Sequence, residues 1–258
     1  SNAAEDVTIN VTSQELTISG ITVETKGYDG NTAATRNTSS AALIGVVDSD
    51  DVTLNTSAYT ATFDSADVGN DIPVTVSGFA LSGTKADDYT LAQPAGLTGN
   101  ITKAALTVTA DNQSRAFGEV NPTLTGSIVG IQDSDPITVS YSTTAETSSP
   151  VGTYEIVPAL DDAGSGKLAN YDVTYNNGTL TITKAITVIT WNKPADIVYG
   201  TALDGTQLDA TASVLGTFTY TPAAGTVLDA GSSQTLHVDF VPDDTANYSN
   251  ASKDMTIN

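Results

Sequence analysis

One feature constrains this chain more than any other: it repeats itself about every 80 residues. Ile101-Thr102-Lys103-Ala104 returns as Ile182-Thr183-Lys184-Ala185, and Thr256-Ile257-Asn258 stands where a third copy would close. A tyrosine recurs ahead of each closing segment, at Tyr89, Tyr171 and Tyr248, with spacings of 82 and 77 residues. Each repeat opens near an aromatic turn, Tyr28-Asp29-Gly30, Phe117-Gly118 or Tyr199-Gly200, and carries a glycine-led apolar run in its middle, beginning at Gly69, Gly152 and Gly231. Solenoids of the leucine-rich or β-helical kind turn over every 20 to 30 residues or so, whereas a period this long holds several strands and fits a series of β-sandwich modules. The expected division is 1–103, 104–184 and 185–258.

Composition and periodicity agree on strands. Thr is the most abundant residue, and β-branched side chains lose little on a pleated surface. In Thr235-Leu236-His237-Val238-Asp239-Phe240 the apolar residues alternate with polar ones, as in a strand buried on one face, and Leu106–Thr109 and Leu180–Thr183 read the same way. Asn176-Asn177-Gly178 between two such runs predicts a tight hairpin. The expected fold is all-β, three tandem Ig-like or β-sandwich-like modules in an extended row. For the first module a mixed sheet with a short crossing helix near Ser65 to Gly69 is the alternative. Tyr89, Tyr171 and Tyr248 are expected to be structural, each tying its hydroxyl to upstream backbone at a corner of the sandwich. The junctions Thr102–Leu106 and Thr183–Thr187 contain no Gly, Pro or Ser tract to supply slack, so three modules end to end should reach on the order of 100 Å.

Charge excludes several functions. Thirty acidic residues against nine basic ones give a net charge of −21, shared as −9, −6 and −6 among the three modules. Such a field repels nucleic acid and anionic lipid. The absence of cysteine removes disulfides and thiol chemistry, and no apolar run approaches the length that would enter a membrane. Ser1-Asn2-Ala3 reads as the scar of an expression tag and is set aside.

Few residues invite chemistry. Acidic turns at Asp48, Asp50, Asp51, Asp133, Asp135, Asp161, Asp162 and Asp243-Asp244 offer oxygens to Ca²⁺, but none has a twelve-residue loop closed by Glu, and Asp in a turn ordinarily binds its own backbone. No cofactor is therefore expected, with Ca²⁺ at these aspartates the one alternative. His237 is the only histidine and falls on the polar face of its strand, with no nucleophile in sight, so no catalytic residue is assigned. Trp191, just past the second junction, is expected to pack, sealing the contact between the second and third modules; exposed, it would stack on a sugar. An isopeptide bond would need a buried lysine, and Lys103 and Lys184 lie at junctions instead.

The residues also carry a resemblance. Thr25-Lys26-Gly27-Tyr28-Asp29-Gly30-Asn31-Thr32, Asp50–Leu54 and Val76–Gly83 resemble the YDG domain of large bacterial surface proteins. Leu106–Ala110, Phe117-Gly118, Asn121-Pro122, Val151–Tyr154 and Leu168–Val173 are similar to the MBG domain of the YGX type, with Phe117 where a Tyr is usual. Ile189-Thr190-Trp191, Pro194–Ile197, Tyr199-Gly200-Thr201 and Phe218–Gly225 look like an Ig-like repeat of the same kind of protein. The resemblance implies an extracellular, bacterial cell-surface location and a non-enzymatic role as a rigid adhesin stalk. The alternative it leaves open is an adhesive module that recognises a glycan, or a host or cell-wall protein, through loops at a module tip.

Overall fold

The structure is a computed structural model and describes residues 7–258; the tag scar at Ser1-Asn2-Ala3 lies outside the described residues. The chain is all-β, the helical content among the described residues reduced to two single 3₁₀ turns, Ala86–Asp88 and Lys167–Asn170. It gathers into two compact units. One runs to Thr107 and adds Ile128–Thr138 and Leu160–Thr174; the other comprises Val108–Ser127, Val139–Ala159 and Tyr175–Asn258. The boundary between them passes through the second sequence repeat, so the compact units do not follow the period of the sequence.

In the first unit, Gln14–Ser19 lies at the centre of a three-stranded sheet, parallel to Tyr89–Leu91 (Gln14 opposite Tyr89) and antiparallel to Ala42–Ile44 (Thr17 opposite Ile44). A four-stranded sheet is ordered Lys26–Gly27, Leu97–Thr102, Gly69–Ser77, Thr60–Phe63, its first pair parallel and the others antiparallel. Val74 and Val76 point inward from the long strand onto Phe63, Phe79 and Ile101, while the intervening residues face water. Gly99 is required here because a Cβ would meet the Phe63 ring at 2.9 Å and Val23 at 2.6 Å. A smaller core gathers Leu16, Val52 and Tyr89. Pairing in this unit is mixed, but the helix considered for Ser65 to Gly69 is not formed: that segment is an irregular bend, and the strand begins at Gly69.

The second unit repeats the four-stranded pattern. Gln113–Ala116 runs parallel to Gly178–Thr183 (Gln113 opposite Leu180), which pairs antiparallel with Gly152–Asp161 (Gly152 opposite Ile182). Its core holds Ala110, Ala145, Ile156, Leu180 and Ile182. A further sheet, Gly216–Thr221, Gln234–Pro242 and Ala251–Ile257, is antiparallel throughout. The alternation read in its central strand is realised, with Leu236, Val238 and Phe240 buried on one face and His237 and Asp239 on the other.

Two readings are corrected. Asn176-Asn177-Gly178 is not a hairpin: the strand beginning at Gly178 belongs to a different sheet from Tyr171–Asn176. The glycine serves close approach instead, since a Cβ there would lie 2.6 Å from the Asp111 carbonyl. Trp191 does not seal a junction. It is buried among Leu203, Leu236, Val238 and Ile257, donates its indole N–H to the Gln207 carbonyl at 3.0 Å, and meets Tyr220 edge-on. A ring this large with a single donor is held best where one backbone acceptor sits inside an apolar core.

Candidate functional site

The acidic turns and the recurring tyrosines turn out to be halves of one device. The Tyr89 hydroxyl donates to Asp50 Oδ2 at 2.7 Å and accepts the Val47 N–H at 3.0 Å. The Tyr171 hydroxyl likewise donates to Asp135 Oδ2 at 2.7 Å and accepts the Gln132 N–H at 2.8 Å. Each Asp-Ser-Asp turn thus supplies the acceptor for its tyrosine, and a left-handed residue, Asp48 (φ 49°) or Asp133 (φ 45°), bends the backbone to present it. Tyr248 lacks this pairing; it is half-buried and carries no such bond among the described residues.

Asp51, Asp161 and Asp162 accept from backbone N–H groups, Asp51 across 33 residues and the other two within their own loop. Asp51 accepts the Thr84 N–H and hydroxyl, both at 3.0 Å. Asp161 accepts the Ala163 N–H, and Asp162 accepts those of Gly164 and Leu168. Among the described residues no three His, Cys, Asp or Glu converge in a way that could hold a metal ion. His237 bridges two exposed carboxylates, Nδ1 to Asp254 at 2.6 Å and Nε2 to Asp239 at 3.2 Å, and the first of these, then the second, raises its pKa. Lys103 and Lys184 are exposed, Lys184 donating to the Thr245 carbonyl at 2.6 Å.

Beyond these, the structure shows contacts that no sequence reading assigned, and they recur. Within the first unit, Tyr28 of the aromatic turn is 3 % exposed and meets Tyr171 edge-on, ring centroids 5.5 Å apart. Its hydroxyl donates at 2.9 Å to the same Asp135 oxygen that Tyr171 uses. Burial, and then the Asp135 bond, pushes Tyr171 up to about 12 and raises Tyr28 as well. Alongside, the side chain of Asn170 does two things at once: its oxygen accepts the Val68 N–H at 2.9 Å, and its amide donates to Asp67 at 2.8 Å. Lys167 reaches the same Asp67 oxygen at 2.8 Å, and these bonds, Lys167 first, lower the Asp67 pKa.

Within the second unit the arrangement returns with other residues. Phe117 meets Tyr248 edge-on at 5.5 Å, and the Asn247 oxygen accepts the Val151 N–H at 2.9 Å. Val68 and Val151 occupy the same place in their repeats, each just before the glycine that starts the long strand, and Asn170 and Asn247 each precede the recurring tyrosine. Each joint therefore consists of a ring from one repeat against the tyrosine of the next, plus an asparagine that satisfies a backbone donor across the same boundary. The signal available in the sequence was Ala-Asn-Tyr, shared by the second and third repeats at Ala169–Tyr171 and Ala246–Tyr248, where the first has Asp88 before Tyr89.

Arg115 also escaped notice. It is 6 % exposed and meets no carboxylate among the described residues; Nε donates to Asn121 at 2.7 Å, and Nη1 and Nη2 donate to the carbonyls of Ala116 and Glu146. It is a buried strut between two loops, affordable because every bond it makes is charge-assisted.

These features define an all-β chain of tandem sandwich modules, with no assembled catalytic group among the described residues. Residues 12–96 match the YDG domain and residues 106–181 match the MBG domain (YGX type); the chain carries the two in tandem, and no catalytic family is identified. No curated protein sequence matches. Among solved structures, the chain is similar to immunoglobulin domains 1–4 of Sidekick-1 (8 % identity, 96 % of this chain and 74 % of that one, TM-score 0.27). It is also similar to domains EC1–3 of Drosophila N-cadherin (12 %, 92 % and 97 %, TM-score 0.28). The I9–I11 tandem of titin is another such likeness (9 %, 92 % and 98 %, TM-score 0.23). No helix among the described residues is long and apolar enough to cross a membrane.

Proposed function

We propose that the chain is a length of extracellular stalk from a bacterial surface protein, a non-enzymatic spacer of three modules, 1–103, 104–184 and 185–258, the last an Ig-like repeat. One observation carries the reading: the same ring-and-asparagine contact appears at both repeat boundaries, beside junctions too short to provide slack. A linker of Thr-Lys-Ala alone would still allow swivelling about its backbone bonds. Adding an edge-to-face ring pair and an asparagine that satisfies an otherwise unpaired N–H makes each swivel cost those contacts. The acidic surface suits such a role, since it keeps neighbouring stalks apart and soluble. Tyr89, Tyr171 and Tyr248 act in this reading as structural anchors, and Asp50 and Asp135 serve as acceptors for the first two and not as Ca²⁺ ligands.

The test is small-angle scattering of the full chain, before and after removal of both asparagine contacts by Asn170→Ala and Asn247→Ala. The intact chain should give an extended profile reaching on the order of 100 Å, and the double variant a broader, more flexible one. A compact profile for the intact chain would overturn the proposal, as would a profile indifferent to both substitutions. Added Ca²⁺ should leave either profile unchanged.

A further inference from the structure

An early strand and the last strand of each repeat meet differently in the three repeats. In the second, Gln113–Ala116 lies parallel beside Gly178–Thr183 along its whole length, from Gln113 opposite Leu180 to Ala116 opposite Thr183. The Phe117 N–H then donates to the Thr183 carbonyl at 2.9 Å. The first repeat keeps this pairing in brief: Lys26 and Gly27 lie parallel opposite Ile101 and Thr102, and the Tyr28 N–H donates to the Thr102 carbonyl at 2.9 Å. In the third, Ile197 takes the place of Tyr28 and Phe117, its N–H on the Asn258 carbonyl at 3.0 Å, but residues 192–196 ahead of it form no strand. Among the described residues Ala251–Ile257 is left with one neighbour in its sheet, the antiparallel Gln234–Pro242. Asn258 adds only side-chain ties, its N–H and amide reaching the Asp196 carboxylate at 3.2 and 3.4 Å. A second parallel contact thins out in the same direction. Gln14–Leu16 runs along Tyr89–Leu91 in the first repeat, whereas the third has a single bridge there, Ala185 to Tyr248.

We propose that the protein bears tension along its chain, with the parallel pair of the second repeat as a clamp and the third repeat yielding before it. The proposal rests on the spacer reading above and adds a load to it. Tension enters a repeat through its early strands and leaves through its last. Where those strands are parallel neighbours, pulling the start of one against the end of the other slides them lengthwise, and the evenly spaced bonds of the ladder are strained together. A pull that parts the same strands from one end breaks those bonds in turn. Forced unfolding is governed by the rate of unfolding and not by equilibrium stability, so the direction in which a ladder is loaded decides how well it holds. In the third repeat no such ladder stands between the points of load, which falls instead on Ile197, Asp196 and Asn258. Yielding there releases on the order of 200 Å of chain and leaves the cores of the other repeats closed.

The chain contains no cysteine, so pulling points can be set in the full chain by substitution at exposed positions. Lys103, Lys184 and Val120 are all exposed. Single-molecule force measurements at one loading rate then compare three variants. Lys103→Cys with Lys184→Cys loads the second repeat lengthwise, and Lys184→Cys with a cysteine added after Asn258 loads the third. Val120→Cys with Lys184→Cys pulls Gln113–Ala116 and Gly178–Thr183 apart from the same end, in the same repeat. The first variant should unfold at about twofold or more the force of either other, because its ladder bonds must break together. Equal forces for the lengthwise and same-end pulls would overturn the clamp. A third repeat as resistant as the second would overturn the order of yielding. The spacer reading fails on a different result, the compact scattering profile of the intact chain.

Discussion

The joint of the first unit and the joint of the second unit share their geometry and differ in their chemistry. Both set two rings edge-on at 5.5 Å and spend an asparagine on a valine N–H. The first then adds a polar centre in which two tyrosine hydroxyls converge on Asp135, with Asp67, Asn170 and Lys167 beside it. The second replaces one hydroxyl by the bare ring of Phe117 and relies more on backbone: Ala185 donates to Asn247 at 2.9 Å and accepts from Ser249 at 3.0 Å. The ring contact and the asparagine are thus the common requirement. How the remaining polar groups are satisfied is free to vary, provided none is left buried without a partner.

That contrast can be broken at its centre. Asp135→Ala should be the most damaging single change, leaving two buried hydroxyls without their acceptor and costing about 3 kcal/mol in urea unfolding of the full chain. A loss under about 1 kcal/mol would mean that Asp135 does not hold the first joint together. Asn170→Ala should cost about 2 kcal/mol and Asn247→Ala about 1 kcal/mol, the difference arising because Asn170 is buried and bonds Asp67 of the other repeat, whereas Asn247 is half-buried and bonds Asp244 of its own turn; equal losses would show that the burial of Asn170 contributes nothing. Converting one joint toward the other is gentler. Tyr28→Phe removes one donor while Tyr171 still serves Asp135, an expected loss of about 1 kcal/mol, and Phe117→Tyr should change stability by less than that.

The joints should also part company at high pH. Tyr171 holds its proton more tightly folded than unfolded, so the stability it contributes is complete below about pH 10 and is lost as pH climbs toward 12. Ultraviolet absorbance of tyrosinate should show this residue ionising last, together with loosening of the first joint, and Tyr171→Phe should remove that alkaline sensitivity. The smallest effect is expected at His237, whose raised pKa makes its contribution complete below the ordinary histidine range and lost as pH rises through the elevated value. A proton NMR titration midpoint at or below the ordinary value would show that Asp254 and Asp239 do not hold the ring in solution.

Different kinds of information were needed for different parts of this molecule. The period, the strands and their buried faces were legible in the sequence because they rest on neighbours two residues apart and on patterns that return every 80 residues or so. Leu236, Val238 and Phe240 could hardly face anything but a core. The partnership of a tyrosine with an upstream turn was legible for the same reason, as a recurring local need of sandwich corners. Which turn, and through which atom, was not: Asp50 and Asp135 read as possible metal ligands until their carboxylates were seen accepting hydrogen bonds from tyrosine hydroxyls. Trp191 could be assigned to packing but not to a particular core. Tyr28 meets Asp135 across 107 residues and Asn170 meets Val68 across 102, and no periodicity connects such pairs. Sequence by itself determined what each residue is fit to do, since fitness is set by its chemistry and near neighbours; only the tertiary structure decided which distant group it does it with, since that depends on how folded surfaces close against one another.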